Sequence, residues 1–311
     1  MDPKLTPFIL PYTRAELPGW GRLMNLVVGG KEADSEAKWK ALPAVFVRGK
    51  NHKYLMKLDR SDWAQRITYF IGRYYELGVL RTIDLLLRPG DRFIDIGANI
   101  GMITLHARSL VGASGRVDCF EPNPQCVEAI REHLRINGIE NVVVHPCALA
   151  ETPGSLFLNL TSEHSGTATL AYVGNQAIRT IRVDVRVGDH VIEGAPRLIK
   201  IDVEGFELHA LKGLTHTLER HRPFLITELI EGHLVRAGTS VAEVSEFLFG
   251  LGYAAYRIEI ERRNWRHHLS LDPLADGGNL SRTTDVLWAH PDASSNLTQY
   301  VRAGRRQVPG A

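Results

Sequence analysis

The run Asp95-Ile96-Gly97-Ala98-Asn99-Ile100-Gly101 lies where a short apolar segment, FIDI at 93–96, gives way to a helical pattern. Gly97 lets the chain turn sharply, and Gly101 lets the following helix approach the strand. A helix beginning there offers free N–H groups and the positive end of its dipole. Turns of this kind, at the carboxyl ends of parallel strands, bind nucleotide-like ligands. A dinucleotide site needs G-x-G-x-x-G around a pyrophosphate. Residue 99 is Asn, so that pattern fails, and the turn suits a ligand without a pyrophosphate.

Carboxylates recur at the ends of the later apolar segments. Glu121 closes CFE, 24 residues after Gly97, where an acidic side chain can accept both ribose hydroxyls. It would equally serve as a dipole partner for the next helix. Asn123 is first a helix cap and only secondarily a ligand contact. In LIKIDVEGFELHALKG (198–213), Asp202 ends a strand, Glu204 lies in the turn and Gly205 permits that turn. Both carboxylates would project into the ligand crevice. In the plainer reading Asp202 caps the following helix while Glu204 and Glu207 favour its dipole, and the two roles are compatible. Glu228 ends PFLITE. It could orient a substrate, assist a base, bind a metal with Asp202, or be an ordinary strand-end residue. His164, His209, His216 and His233 are candidate proton acceptors, each read first as a surface residue. A divalent metal would need oxygen ligands such as Asp202 and Glu228, and the sequence does not require one.

These residues need a scaffold, and the chain supplies strands alternating with helices. The strands are expected at 93–96, 116–121, 141–146, 198–202, 223–229, 253–260 and 284–290, with extended segments at 155–160 and 178–185. The helices are expected after Gly101 to Val111, from Asn123-Pro124 to Asn137-Gly138, at 206–219 and at 241–250. Such alternation predicts a mostly parallel, doubly wound α/β sheet. Upstream, 1–40 reads as an irregular arm with one short helix. Segments 44–48 and 53–58 read as a hairpin, DWAQRITYFIGRYYEL from Asp62 as one helix, and 79–87 as another ending at Pro89-Gly90. The domain plan is an arm and hairpin at 1–60, a catalytic domain at 61–290 containing a polar loop at 262–283, and a flexible tail at 291–311.

Composition narrows the classes. The 311 residues are 44% hydrophobic and 23% charged, with formal net charge +2. That balance argues against a dedicated nucleic-acid binder. Three irregularly spaced cysteines make neither a disulfide framework nor a zinc pattern, which suits a reducing compartment. No signal-peptide pattern and no apolar run long enough to span a membrane is legible, so a cytoplasmic protein is expected. A homodimer is compatible with this reading.

Taken in order, IDIGANIG, CFEPNP, IKIDVEGFELHALKG and RPFLITE resemble the FkbM family of S-adenosylmethionine-dependent methyltransferases over residues 90–230. The resemblance implies a Rossmann-like class I methyltransferase fold with a seven-stranded, mostly parallel sheet and helices on both faces. It implies that Asp95, Gly97, Ala98, Asn99 and Gly101 surround the methionine part of S-adenosylmethionine. Glu121 would hold the ribose, and Cys147-Ala148-Leu149 would flank the adenine. Asp202, Val203, Glu204 and Gly205 match the family's D-V-E-G motif beside the transferred methyl. The expected reaction is in-line attack of a small-molecule hydroxyl on the sulfonium methyl, with Asp202 or Glu204 as base and Glu228 or a histidine in support. The acceptor would be a sugar, glycolipid or polyketide-like product. An N- or nucleic-acid methyltransferase and a non-catalytic cofactor-binding module are the alternatives. The sequence departs from the family at Val183–Asp189, where a Thr-Leu-Asp-Asp run is usual, in a segment expected to touch the substrate. The polar loop Ser162–Thr169 reads as part of a lid.

Overall fold

The computed structural model describes residues 6–28, 38–40, 42–160, 168–171, 179–263, 266–274, 285–292 and 297. His164, Ser162 to Thr167 of the expected lid, and most of the expected tail lie outside these residues.

Two helices, α1 (Thr6–Arg14) and α2 (Trp20–Val28), occupy the arm expected to hold one. Pro7 falls in the first turn of α1, where its missing N–H costs nothing. The hairpin forms from β1 (Val45–Arg48) and β2 (Leu55–Leu58), paired antiparallel. Asp62 caps α3 (Trp63–Ile71) by accepting the Gln65 N–H, and Gly72 ends it at φ 74°. The helix expected to run on to Leu77 therefore stops early, and α4 (Leu77–Leu86) starts anew.

The large sheet takes its strands from β3 (Arg92–Ile96), β4 (Arg116–Phe120), β5 (Val142–His145), β10 (Leu198–Ile201), β11 (Phe224–Glu228), β12 (Ala254–Arg263), β13 (Arg266–Leu274) and β14 (Asp285–Ala289). Their order is β13-β12-β14-β11-β10-β3-β4-β5. The strands β5, β4, β3, β10 and β11 are parallel, while β14 and β12 each join antiparallel. The expected seven strands are thus present, and β13 is an eighth, paired with β12 within the segment expected to be a polar loop. Helices α5 (Met102–Val111) and α6 (Pro124–Ile136) connect the first strands. Asn123 caps α6 through the Gln125 N–H, as expected.

Strand β3 shows how period-two alternation divides the core. Phe93 joins the cluster that includes Leu105 and Ile83, while Ile94 and Ile96 join the opposite cluster with Leu208 and Val244. Between β5 and β10 the chain builds a separate four-stranded sheet, in order β6-β9-β7-β8, from β6 (Ala148–Leu149), β7 (Gly154–Leu160), β8 (Ala168–Thr169) and β9 (Arg179–Arg186). A short helix α7 (Gly188–Val191) leads back to β10. The helix expected over 206–219 is two, α8 (Glu207–Lys212) and α9 (Thr215–His221). They part at Gly213, where a side chain would strike the Ala150 carbonyl at 2.4 Å. Helices α10 (Glu231–Arg236) and α11 (Val241–Gly250) follow β11. Among the described residues no helix is long and apolar enough to cross a membrane.

Candidate active site

From β3 the chain winds outward through β4 and β5, then returns to start β10 on the other side of β3. The reversal of strand order opens a crevice at the carboxyl ends of β3 and β10, where α/β sheets bind ligands. An open cleft lies there, its wall running from Gly97 and Glu121 past Cys147 and Ala148 to Asp202, Glu204 and Glu228.

Gly97 sets its floor. Its N–H and that of Ala98 reach the Phe120 carbonyl at 2.9 and 3.2 Å, and Asp202 N–H reaches the Ile96 carbonyl at 3.0 Å. With φ at +80°, a Cβ on residue 97 would lie 1.8 Å from the Asp202 carbonyl oxygen, so only glycine fits. Asn99 follows at φ 50°, a left-handed conformation that asparagine tolerates. Gly101 carries no side-chain cap, leaving the first N–H groups of α5 available.

Glu121 hangs over this turn, only 6% exposed. Its Oε2 accepts the Asn99 N–H at 2.7 Å and its Oε1 the Asn123 N–H at 2.8 Å. A carboxylate has about four acceptor sites, so two remain for a diol. Burial pushes this carboxyl up to about 7, against the pull of those two N–H groups.

The expected site residues separate into wall and support. Gly97, Ala98, Asn99, Glu121, Cys147, Ala148, Asp202, Glu204 and Glu228 line the cleft. Asp95, Gly101 and Asn123, expected to touch the cofactor, are not on its wall. Asp95 is fully buried on the α5 face of β3, where its Oδ2 accepts the Thr104 hydroxyl at 2.6 Å. Its Oδ1 has no partner among the described residues. Gly101 packs under Ile130, and Asn123 spends its side chain on the α6 cap.

Sequence reasoning missed Lys200. It lies in register with Asp95 across the β10–β3 ladder, buried, with Nζ 2.9 Å from Asp202 Oδ2. Burial alone would lower its pKa, but Asp202, Asp95 and Glu76 outweigh that and raise it. The signal was a lone cation inside the apolar run LIKI. Tyr74, Tyr75 and Phe206 on the wall were also missed. Tyr74 and Tyr75 sit 4.6 Å apart in the stretch beyond Gly72 that helical spacing had absorbed into α3.

Asp202 does not cap α8, whose N-cap Phe206 makes no side-chain bond. The turn is instead held from beneath by Glu207, whose Oε1 accepts from Val203 N–H at 3.1 Å and Gly205 N–H at 3.2 Å. Glu204 takes φ 54°, Thr169 donates to its carbonyl at 2.8 Å, and its Oε2 lies 2.9 Å from His233 Nδ1. Of the histidines expected as proton acceptors, His209 pairs with Glu151, and His216 is solvent-exposed. His233 alone of the described three contacts a wall carboxylate. Burial raises the pKa of Glu228, helped by Asp202 and Glu76. Burial likewise raises Glu76 and Asp285, each with Asp202 among its like-charged neighbours. The cleft wall thus combines apolar Phe120, Cys147, Ala148 and Leu149 beside Glu121 with a carboxylate group of Asp202, Glu204 and Glu228.

The sequence profile described as Methyltransferase FkbM domain matches residues 95–255. Methyltransferase 1 of Beauveria bassiana is 25% identical over 213 residues, covering 61% of this chain and 82% of that protein. Hexuronic acid methyltransferase AglP of Haloferax volcanii is 30% identical over 179 residues, 56% of this chain and 67% of that protein. A solved methyltransferase FkbM from Methylobacillus flagellatus is 17% identical with a TM-score of 0.41, over 87% of this chain and 60% of that one, so the chain spans less than two thirds of its length.

Proposed function

Because the matched profile spans more than half of the sequence, the chain belongs to the FkbM methyltransferase family, and on that premise we propose that it methylates a hydroxyl of a small, sugar-like molecule. The donor of this family is S-adenosylmethionine, which supplies a methyl already activated by its sulfonium. The residues fit such a group. Gly97 leaves a cradle that a Cβ would fill, and Glu121 keeps two acceptor positions for the ribose. Phe120, Cys147, Ala148 and Leu149 offer an apolar slot of the kind an adenine ring takes.

The observation that carries the choice of acceptor is the carboxylate group of Asp202, Glu204 and Glu228 on one cleft wall. An alcohol is a weak nucleophile and benefits from a positioned base. Lys200 holds Asp202 in one orientation, so Asp202 steers the acceptor oxygen while Glu204 or Glu228 takes its proton. Tyr74 and Tyr75 add aromatic surface to the same cleft. The 30% identity to a protein named as a hexuronic acid methyltransferase supports a sugar acceptor.

Incubation with methyl-labelled S-adenosylmethionine and a panel of glycosides, hydroxylated polyketides and peptides tests this. Label on a hydroxyl oxygen, located by NMR as a methoxy carbon, is the expected result. Transfer only to nitrogen or carbon would refute it.

A further inference from the structure

The carboxylate group on the cleft wall is not balanced by the cations around it. Glu228 and Asp285 face one another across the β11–β14 ladder, and like charges directly opposite on paired strands repel. Neither side chain makes a hydrogen bond or ion pair among the described residues. The buried cation, Lys200, is committed to Asp202 at 2.9 Å. The pairing of Asp202 with Glu228 that the sequence suggested for a metal is therefore not the one the geometry favours.

A different set converges. The ligand atoms of Glu204, Glu228 and His233 all lie within 4.8 Å of one another. Two ligands at right angles around an ion, each about 2.1 Å from it, stand about 3 Å apart. The 2.9 Å contact between Glu204 Oε2 and His233 Nδ1, an ion pair as it stands, holds the two atoms at that spacing. The three residues come from the turn after β10, the end of β11 and helix α10, and the first and last are locked together. A Cβ at Gly205 would lie 2.3 Å from the His233 carbonyl oxygen, so the turn and α10 touch backbone to backbone. Two of the three, Glu204 and Glu228, line the cleft.

We propose that Glu204, Glu228 and His233 bind a divalent cation of the Mn²⁺ type, with its remaining positions open to the cleft. One imidazole beside two carboxylates is a mixed nitrogen–oxygen set, softer than the all-oxygen sites of Ca²⁺ and without the thiolates of structural Zn²⁺ sites. With Glu204 and Glu228 taken up as ligands, the ion would fix an acceptor hydroxyl and ease loss of its proton to Asp202, the remaining carboxylate of that group on the cleft wall. That role rests on the acceptor reading above. Binding of the ion does not.

The test is titration of Mn²⁺ into the chelator-treated full chain, followed by electron paramagnetic resonance, with S-adenosylhomocysteine titrated in parallel by calorimetry. One ion per chain is expected, with an imidazole nitrogen coupling in the pulsed spectrum. His233→Ala should erase that coupling and weaken binding at least tenfold, and Glu228→Gln should weaken it similarly, since even outer-sphere partners are worth that much. Both variants should bind S-adenosylhomocysteine within a few-fold of the parent, which shows that they fold. Lack of saturable Mn²⁺ binding at millimolar concentration, or a coupling that survives in His233→Ala, overturns the site. Intact Mn²⁺ binding without S-adenosylhomocysteine binding would overturn the cofactor reading and leave the metal site standing.

Discussion

At the scale of single residues, the site depends on one missing side chain and one buried pair. Gly97→Ala would put a methyl 1.8 Å from the Asp202 carbonyl oxygen at a φ of +80°. The backbone strain alone costs about 1–3 kcal/mol, and relieving the clash must move β3 away from β10. Cofactor affinity should fall more than tenfold in calorimetry, together with a lower unfolding midpoint. An alanine variant with parent-like affinity would mean the ligand does not use this turn. Lys200 is the complementary case. Removing one member of a buried ion pair leaves the other uncompensated, typically at about 3–5 kcal/mol. Lys200→Met should approach the lower figure in urea unfolding, because Asp202 retains 20% exposure. The double variant Lys200→Met, Asp202→Asn should regain part of the loss. A single-variant cost below about 0.5 kcal/mol would show that solvent already screens the pair.

At the scale of elements, the segments that hold the site were mostly legible and the misreadings have identifiable causes. Strands β3, β4, β10 and β11 are short apolar runs closed by Asp, Glu or Gly, and each appears within two residues of expectation. Strand β13 escaped because Pro273 and alternating polar residues look like a loop. At a sheet edge the outward N–H is not needed, so Pro273 can sit opposite Tyr256 without breaking the ladder. The splits at Gly72 and Gly213 escaped for another reason. Helical spacing of apolar residues continues through both, and only tertiary contact reveals the stop. The family motif sets Asp95 beside the cofactor turn, yet period-two alternation turns its side chain to the α5 face, where it accepts the Thr104 hydroxyl. Asn123 separates cap from ligand contact most cleanly. Its side chain serves the α6 N-terminus, and only its backbone reaches Glu121. Asn123→Ala should therefore cost about 1 kcal/mol of stability while leaving S-adenosylhomocysteine affinity within about twofold. A large loss of affinity at unchanged stability would restore it to the cofactor shell.

At the scale of the whole molecule, buried titratable groups pull stability in opposite directions. Burial pushes both Glu121 and Glu207 up to about 7 from 4.5. Between those values the folded chain holds protons that the unfolded chain has released, so their contribution declines as pH rises through that window. His52, near the hairpin, has the opposite sign. Burial, aided by His106 and His133, lowers it from 6.5 to about 3. The unfolded chain then binds the extra proton, and stability from His52 grows as pH rises from about 3 to 6.5. The two effects overlap between 4.5 and 6.5, where the gain from His52 offsets only part of the carboxylates' decline, which Glu76, Glu228 and Asp285 reinforce. Glu121→Gln cannot titrate, so the parent's stability relative to it should decline by up to about 3 kcal/mol between pH 4.5 and 7. His52→Asn should move the other way, the parent gaining on it over the lower window. Cofactor binding adds a separate readout. If the ribose takes the ionised Glu121, affinity for S-adenosylhomocysteine should rise with pH through about 7 in the parent and stay level in Glu121→Gln. Urea unfolding and calorimetry at half-unit steps from pH 5 to 8 would separate the two. A parent whose affinity is level across that range while its stability changes would mean that Glu121 supports the turn without accepting a ligand hydroxyl.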